Sequence, residues 1–558
     1  MTSQALAQAG RGMGHAGHGV VEVQRRSNAA PRLRPEDEAP HQILRSGRRD
    51  CSSWRWPSPF PARERLVDRP YDGSRGPAEE ALRNRSHRRP SQVWRARPTL
   101  PKPGERSPVI TRTTSLRTVG VFPAVGLLAA GLLASGCSAE RIPQQVPSPS
   151  QSSARVITLA ATPSSAAEQK RLATEFHPDD AQPTGLYLPP HTLLTVTSDR
   201  PGNAPIPELL VGTYGLDGTD SGTEAEPRTH KLQDATTEVT DGTGGMLYVR
   251  YTKDGGDPAP EITLHFGASA HSVPYHVLGR TPAAQWKSQL DQAAKDVPVA
   301  QLVADHVVLT VHLDSARRNR TQNPDDLLRR YEHILATEDA ISGLDGRDPR
   351  DRRSPLRYFV SEGKAGINPN AYYDRVCYPS DLIDEALNVD ALNESWGMWH
   401  ELGHMHQQSS WMWDAVTEVT VNVYSLAVQR DAGQPTRLGK DGTPDAVRTY
   451  LDGSATRPAY DAKDGDPFVR LAMFEQLRLA FGDGFYPELH KLTRRAETAT
   501  DPEQYLVLNA SRVSGHDLIS FFSAWGVPVT AQTRAEVAAL GLHAPDEDPS
   551  ALDVGKTS

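Results

Sequence analysis

The rhythm of apolar and polar positions changes along this chain and divides it. Residues 1–108 show no apolar period at all, only Arg, Pro, Ser and Gly, the composition of a disordered extension. An unbroken apolar run, Val119 to Leu133, follows inside a segment spanning 109–137. Residues 138–178 turn polar again, rich in Pro, Ser and Gln, and read as a flexible tether that ends in a short helix from Ser165 toward Phe176. Over 179–276 the period shortens to that of strands. The runs are Leu193 to Thr197, Leu209 to Thr213, Met246 to Tyr251 and Ile262 to Phe266, separated by turn clusters such as Asp254-Gly255-Gly256-Asp257-Pro258. That pattern predicts an antiparallel β domain. Over 277–545 helical spacing takes over, with strands at Val307 to Val311 and Leu356 to Val360, a helix opening after Pro324, and two helices between Ser380 and Gln407. Residues 546–558 read as a tail. The fold class expected is α+β, a β domain followed by a mainly helical one.

Charge sharpens the first boundary. The formal net charge is −8, yet residues 1–137 carry 23 Lys and Arg against 11 Asp and Glu, so the remainder is strongly acidic. An acidic body gives no electrostatic reason to bind nucleic acid. Arg112 and Arg117 precede the apolar run, and Ala134-Ser135-Gly136-Cys137 closes it, which is the layout of a secretory signal. The run is too short for a comfortable membrane-spanning helix. Small residues before a cysteine also resemble a bacterial lipobox, with Cys137 as the lipidated residue; simple secretion is the alternative. The expectation is an extracellular, cell-surface lipoprotein of a bacterium, touching the membrane only through that anchor. Because a signal belongs at an N-terminus, translation is expected to start near Val109 rather than at Met1. Of the three cysteines, Cys51 lies in the extension and Cys377 reads as a small buried thiol, so no disulfide framework is expected.

The chemistry lies in Trp399-His400-Glu401-Leu402-Gly403-His404. Histidines four apart share one helical face and can reach one ion, and the glutamate between them is placed to take a proton from water on that ion. A catalytic zinc site uses three protein ligands, and Glu418 is the best third donor for a single Zn2+. Residues 415–429 predict a helix with Val416, Val419, Val423 and Leu426 on one stripe and Glu418, Asn422 and Ser425 on the next. Their β-branched content leaves a strand as the alternative. One turn from Glu418, Asn422 either orients a ligand histidine or sits on a solvated face. Glu401 would act as general base. Tyr372, Tyr373, Tyr424 and His406 are candidates to stabilise the oxyanion, although His406, like Asp414, is off register and suits a surface role.

The run Ser395-Trp396-Gly397-Met398-Trp399-His400-Glu401-Leu402-Gly403-His404, followed by Thr417-Glu418-Val419-Thr420-Val421-Asn422-Val423-Tyr424-Ser425-Leu426, resembles the peptidase M60 family. These are enhancin-like zinc metallopeptidases of gluzincin type. Gly185-Leu186-Tyr187-Leu188-Pro189-Pro190, the stretch Tyr372 to Asp381, and Trp525-Gly526-Val527-Pro528-Val529-Thr530 resemble other segments of it, so the likeness covers roughly 180–545. The resemblance implies His400, His404 and Glu418 as metal ligands, Glu401 as base, and a glycoprotein substrate, of mucin type. No appended carbohydrate-binding module is evident. Trp396, Trp399, Trp411 and Trp413 would then stack on sugars or, on the plainer reading, pack around the motif helix. Two rivals remain: a surface glycan- or protein-binding module with a non-catalytic metal site, and a metal-dependent hydrolase of a non-peptide bond.

Overall fold

A computed structural model of the chain describes residues 155–216, 226–453, 459–462 and 465–556. The extension, the signal segment, Cys51 and Cys137 lie outside the described residues.

Three sheets stack in sequence. The first has the spatial order Val156–Leu159, Ile262–Phe266, Thr192–Asp199, Thr236–Asp241, all antiparallel. The second runs Arg228–Lys231, Glu208–Val211, Gly245–Arg250, Ala181–Leu188, His271–Ser272, again antiparallel. Alternation along Thr192–Asp199 explains the first interface: Leu194 and Val196 point inward to meet Leu209, Val211, Leu247 and Val249, while Leu193 faces water. The second sheet is buried on its other face too. There Tyr187, Leu210, Met246 and Tyr248 meet Val299, Val303, Val308 and Phe359 of the third sheet. Burial on both faces is why Ala181–Leu188 shows no alternation.

The third sheet has the order Tyr275–Val277, Val299–Val303, Val307–His312, Tyr358–Gly363, Arg375–Pro379, Asn370–Tyr372 and mixes parallel with antiparallel pairs. Leu309, Val311, Tyr358, Val360 and Val376 on its far face pack against helix Pro324–Ile341 and helix Trp396–His404. Beyond these lies a helical body whose core includes Val419, Val423, Phe474, Leu477, Phe522 and Trp525. The architecture is α+β, as expected. No helix among the described residues is long and apolar enough to cross a membrane.

Two expectations at the edges need correction. From Val156 the supposed tether is ordered: Ile157 and Leu159 are buried, their strand pairs with Ile262–Phe266, and helix Ser165–Leu172 follows, capped by Ser164. Four apolar-patterned residues beside a Pro/Ser-rich stretch are invisible to composition, because their partner strand lies a hundred residues away. The end of the chain is docked as well. Gln476 Nε2 donates to the carbonyls of Ser550 and Leu552, and Val554 is buried.

Candidate metal centre

Helix Trp396–His404 begins where Ser395 accepts a hydrogen bond from the Met398 N–H, which satisfies one of the free donors of the first turn. Met398, Trp399 and Leu402 bury its apolar side against the third sheet and its helices. Gly403 permits close approach of the next segment: a Cβ there would stand 3.0 Å from the Val421 carbonyl and 3.2 Å from Tyr424 Cβ. That segment is a short helix, Thr417–Thr420, followed by helix Asn422–Asp431. The helical reading of 415–429 therefore holds over the strand alternative. On its polar stripe Asn422 and Ser425 are almost wholly enclosed rather than solvated, while Glu418 stays partly exposed.

The crossing brings three donors together. His400 Nε2 lies 3.1 Å from His404 Nε2 and 3.0 Å from Glu418 Oε2, and His404 Nε2 lies 3.5 Å from the same oxygen. Donors held about 2.0–2.1 Å from one tetrahedral ion stand about 3.3 Å apart, so the triangle matches one face of such a site. His400, His404 and Glu418 form the one group of three potential ligands that converges in this way among the described residues.

The backs of both rings are occupied. His400 Nδ1 is 2.9 Å from Asn422 Oδ1, an oxygen that also accepts from Trp396 Nε1. His404 Nδ1 is 2.6 Å from Gln407 Oε1. An acceptor behind each Nδ1 places a proton there and leaves Nε2 to face the centre. The Asn422 position was legible from its spacing to Glu418. Gln407 was not, since it lies beyond the end of the motif helix; its three-residue spacing from His404 was the available signal.

Electrostatics follow from this packing. Burial alone would raise the Glu418 carboxyl, but the facing His404 and His400 rings hold it well below the usual carboxylate range. Burial alone would lower the His404 imidazole; Glu418, with help from Glu401 and Gln407, raises it to about 9. Glu401 is buried, which pushes its carboxyl up, and Glu418 adds to this while His400, His404 and the Ala371 N–H oppose it.

The four oxyanion candidates separate. Tyr372 and Tyr373 stand at the rim, about half exposed, with their rings 4.3 Å apart on and just after the edge strand whose Ala371 N–H donates to Glu401. Phe176 joins them to the centre, its ring 6.3 Å from Tyr372, 6.1 Å from Tyr373 and 6.4 Å from His404. Tyr424 and His406 are elsewhere. Tyr424 is fully buried with its hydroxyl on the His406 carbonyl and His490. The His406 ring is buried against Asp339, Glu338 and Tyr358. The helix ends at His404, and the turn after it aims residue 406 at the opposite side, so neither the oxyanion role nor a surface role suits it. Trp399 and Trp411 are fully buried, and Trp413 is pinned to Asp461.

Two buried histidines, an intervening glutamate and a converging carboxylate, set on this sheet-and-helix frame, define the class: a metallopeptidase fold. The family described as Peptidase M60, enhancin and enhancin-like, matches residues 269–526, and the N-terminal domain of M60-like peptidases matches 163–265. The chain belongs to the M60 peptidase family. A conserved protein of unknown function from Bacillus anthracis str. Ames is 28% identical with a TM-score of 0.64, covering 71% of this chain and 80% of that one. The M60 catalytic domain of Clostridium perfringens ZmpC, solved with the sialyl T antigen, shares the fold at 19% identity and a TM-score of 0.58, covering 71% and 82%. Among curated proteins, TRPM8 channel-associated factor 2 of Bos taurus is 28% identical over 65% of this chain, and factor 1 of the same species 25% identical over 64%. The chain spans about two fifths of the length of these relatives, 40% and 39% respectively.

These relatives correct the expected location. They are eukaryotic channel-associated factors, and they give no support to a bacterial cell-surface lipoprotein. That expectation rested on Arg112 and Arg117, the apolar run and the small residues before Cys137, all of which lie outside the described residues.

Proposed function

We propose that this chain is a zinc endopeptidase that hydrolyses peptide bonds in O-glycosylated, mucin-like proteins. The observation that carries the reading is the convergence of His400 Nε2, His404 Nε2 and Glu418 Oε2 beside the buried Glu401. Two imidazoles and a carboxylate are a donor set that suits zinc and leaves a fourth position open. When bound, zinc supplies Lewis-acid polarisation of the attacking water and of the scissile carbonyl.

The chain's own residues do the rest. Asn422 and Gln407 hold the two rings edge-on to the centre. Burial raises the affinity of Glu401 for a proton, which matches a group that must first accept one from water and then release it to the leaving amine. Ala371, on the edge strand, fixes the carboxylate through its N–H. Tyr372 and Tyr373 are the tyrosines within the rim, and a hydroxyl from that pair is the oxyanion donor. The O-glycan preference draws on the solved fold relatives, one bound to the sialyl T antigen and another metallopeptidase to the Tn antigen.

The test is incubation of the protein with an O-glycosylated mucin beside a Glu401→Ala control, reading fragments by mass spectrometry. New peptide termini next to glycosylated Ser or Thr, made by the unaltered protein alone, support the reading. Cleavage of unglycosylated chains only would remove the substrate class, and no cleavage despite bound zinc would remove the activity.

A further inference from the structure

We propose that Gln407 is a positioning residue: it fixes the His404 ring with Nδ1–H on the amide oxygen and Nε2 toward the metal, and it ties that ligand to the turn that presents Glu418. The inference rests on the metal site proposed above and reaches a residue outside it.

The orientation of the Gln407 amide is fixed by its surroundings. Its Nε2 lies 2.7 Å from the Thr417 carbonyl and 2.7 Å from Thr420 Oγ1. A carbonyl can only accept. The Thr420 hydroxyl spends its proton on the Val416 carbonyl at 3.1 Å, so toward Gln407 it too can only accept. The nitrogen must face these two groups, and Oε1 must face His404 Nδ1, 2.6 Å away. A flipped amide would set oxygen against oxygen twice and leave its own donors against a ring nitrogen. Gln407 is almost wholly buried, so water cannot supply the missing partners. The Nδ1 proton of His404 is therefore committed to Gln407, and Nε2 is the nitrogen left to face the metal.

Gln407 also joins two pieces of chain. It follows the motif helix, holds the second histidine, and donates to the residue immediately before Glu418. Asn422 makes the matching bridge for the first histidine, from the His400 ring to the Glu418 carbonyl. Each ligand histidine is thus fastened by one amide to the turn that carries the third ligand. The triangle of donors is held by hydrogen bonds of the protein itself, before any ion arrives.

The experiment measures Zn2+ affinity of the full chain by competition with a chromophoric chelator, for the wild type, Gln407→Met and Gln407→Glu, with thermal melts of the metal-free forms alongside. Methionine keeps the volume and removes the three side-chain hydrogen bonds; its affinity should fall roughly 10–100-fold. Glutamate keeps an acceptor for the His404 Nδ1–H and gives up the donor to the Thr417 carbonyl. Its affinity should return to within roughly threefold of the wild type. A residue needed only for packing gives the opposite order, since a buried carboxyl disturbs packing more than a thioether does.

Methionine binding zinc as tightly as glutamine, or glutamate no better than methionine, would overturn the proposal. In the zinc-loaded wild type, nitrogen-15 NMR should find the His404 proton on Nδ1; finding it on Nε2 would overturn it without any variant. A wild type that binds no zinc removes the metal site and this inference together. A wild type that binds zinc but cleaves nothing removes the peptidase reading and leaves this test intact.

Discussion

The Asn422 side-chain oxygen stands 2.9 Å from His400 Nδ1 while its nitrogen donates to the Glu418 carbonyl, also at 2.9 Å. One amide thus orients the first histidine and braces the turn of the third donor. Replacing it by alanine removes both bonds and the one from Trp396 Nε1, and leaves the buried Nδ1–H of His400 without an acceptor. We expect Asn422→Ala to lose roughly 10–100-fold in Zn2+ affinity, read by chelator competition. An unchanged affinity would return Asn422 to a packing role.

Glu401→Gln changes almost nothing in shape and removes the proton acceptor. The expected outcome is a fall in kcat of at least about 100-fold on a glycoprotein substrate. Zinc content should stay equal to that of the wild type, because Glu401 is not among the three converging donors. The melting temperature should hold or rise, since the substitution removes a carboxyl that burial disfavours in its charged form. Residual turnover near the wild-type rate would assign the base to another group.

How much of this centre could be read from the sequence depends on whether the deciding geometry is local. His400 and His404 share a helical face by spacing alone, and Asn422 follows Glu418 by one turn. Those placements held. Gln407 and His406 lie past the end of the helix, where a turn sets direction, and periodicity says nothing there. Tyr424 fell to a different cause. Its helix is packed on every side, with Val423 and Leu426 in one core and Val428 in another, so an amphipathic reading could not tell an inward tyrosine from one facing the site. Val156–Leu159 was missed because its pairing partner, Ile262–Phe266, is distant in sequence.

Tyr424→Phe tests the reassignment of that tyrosine. Its hydroxyl lies 2.7 Å from the His406 carbonyl and 2.8 Å from His490 Nε2, deep in the core. Loss of the hydroxyl should lower stability by about 1–3 kcal/mol in denaturant melts. Turnover should be unchanged at a temperature where the variant is folded. An oxyanion donor would instead show a kcat loss of about 100–1000-fold with little change in stability.

Phe176 comes from the chain between helix Ser165–Leu172 and strand Ala181–Leu188, yet its ring contacts His404 and both rim tyrosines. Phe176→Ala removes edge contacts worth about 0.5–1.5 kcal/mol each, so the tyrosine pair loses its backing. The expected result is a rise in KM of roughly three- to tenfold with zinc affinity unaltered. If kcat and KM both stay at wild-type values, the rim takes no part in holding the substrate.

The charges at the centre set a pH dependence with a definite sign. In the metal-free protein Glu418 is held well below its ordinary value of 4.5, so its contribution to stability is present above about 4.5 and is lost as pH falls toward the folded value. His404 is raised from 6.5 to about 9, so its contribution is complete below 6.5 and is lost as pH rises through about 9. Together they make the chelated protein most stable between about 4.5 and 6.5, as far as this pair decides, with a decline toward about 9. Zinc reverses the slope on the alkaline side. Binding must expel the Nε2 proton of His404, so the apparent affinity should climb about tenfold per pH unit until it levels near 9. Chelator competition at several pH values between about 6 and 9, beside melts of the metal-free protein over the same range, reads both slopes. A zinc affinity that is flat with pH would mean that the ring already faces the site as a free base, and the Glu418–His404 pairing that raises its proton affinity would have to be abandoned.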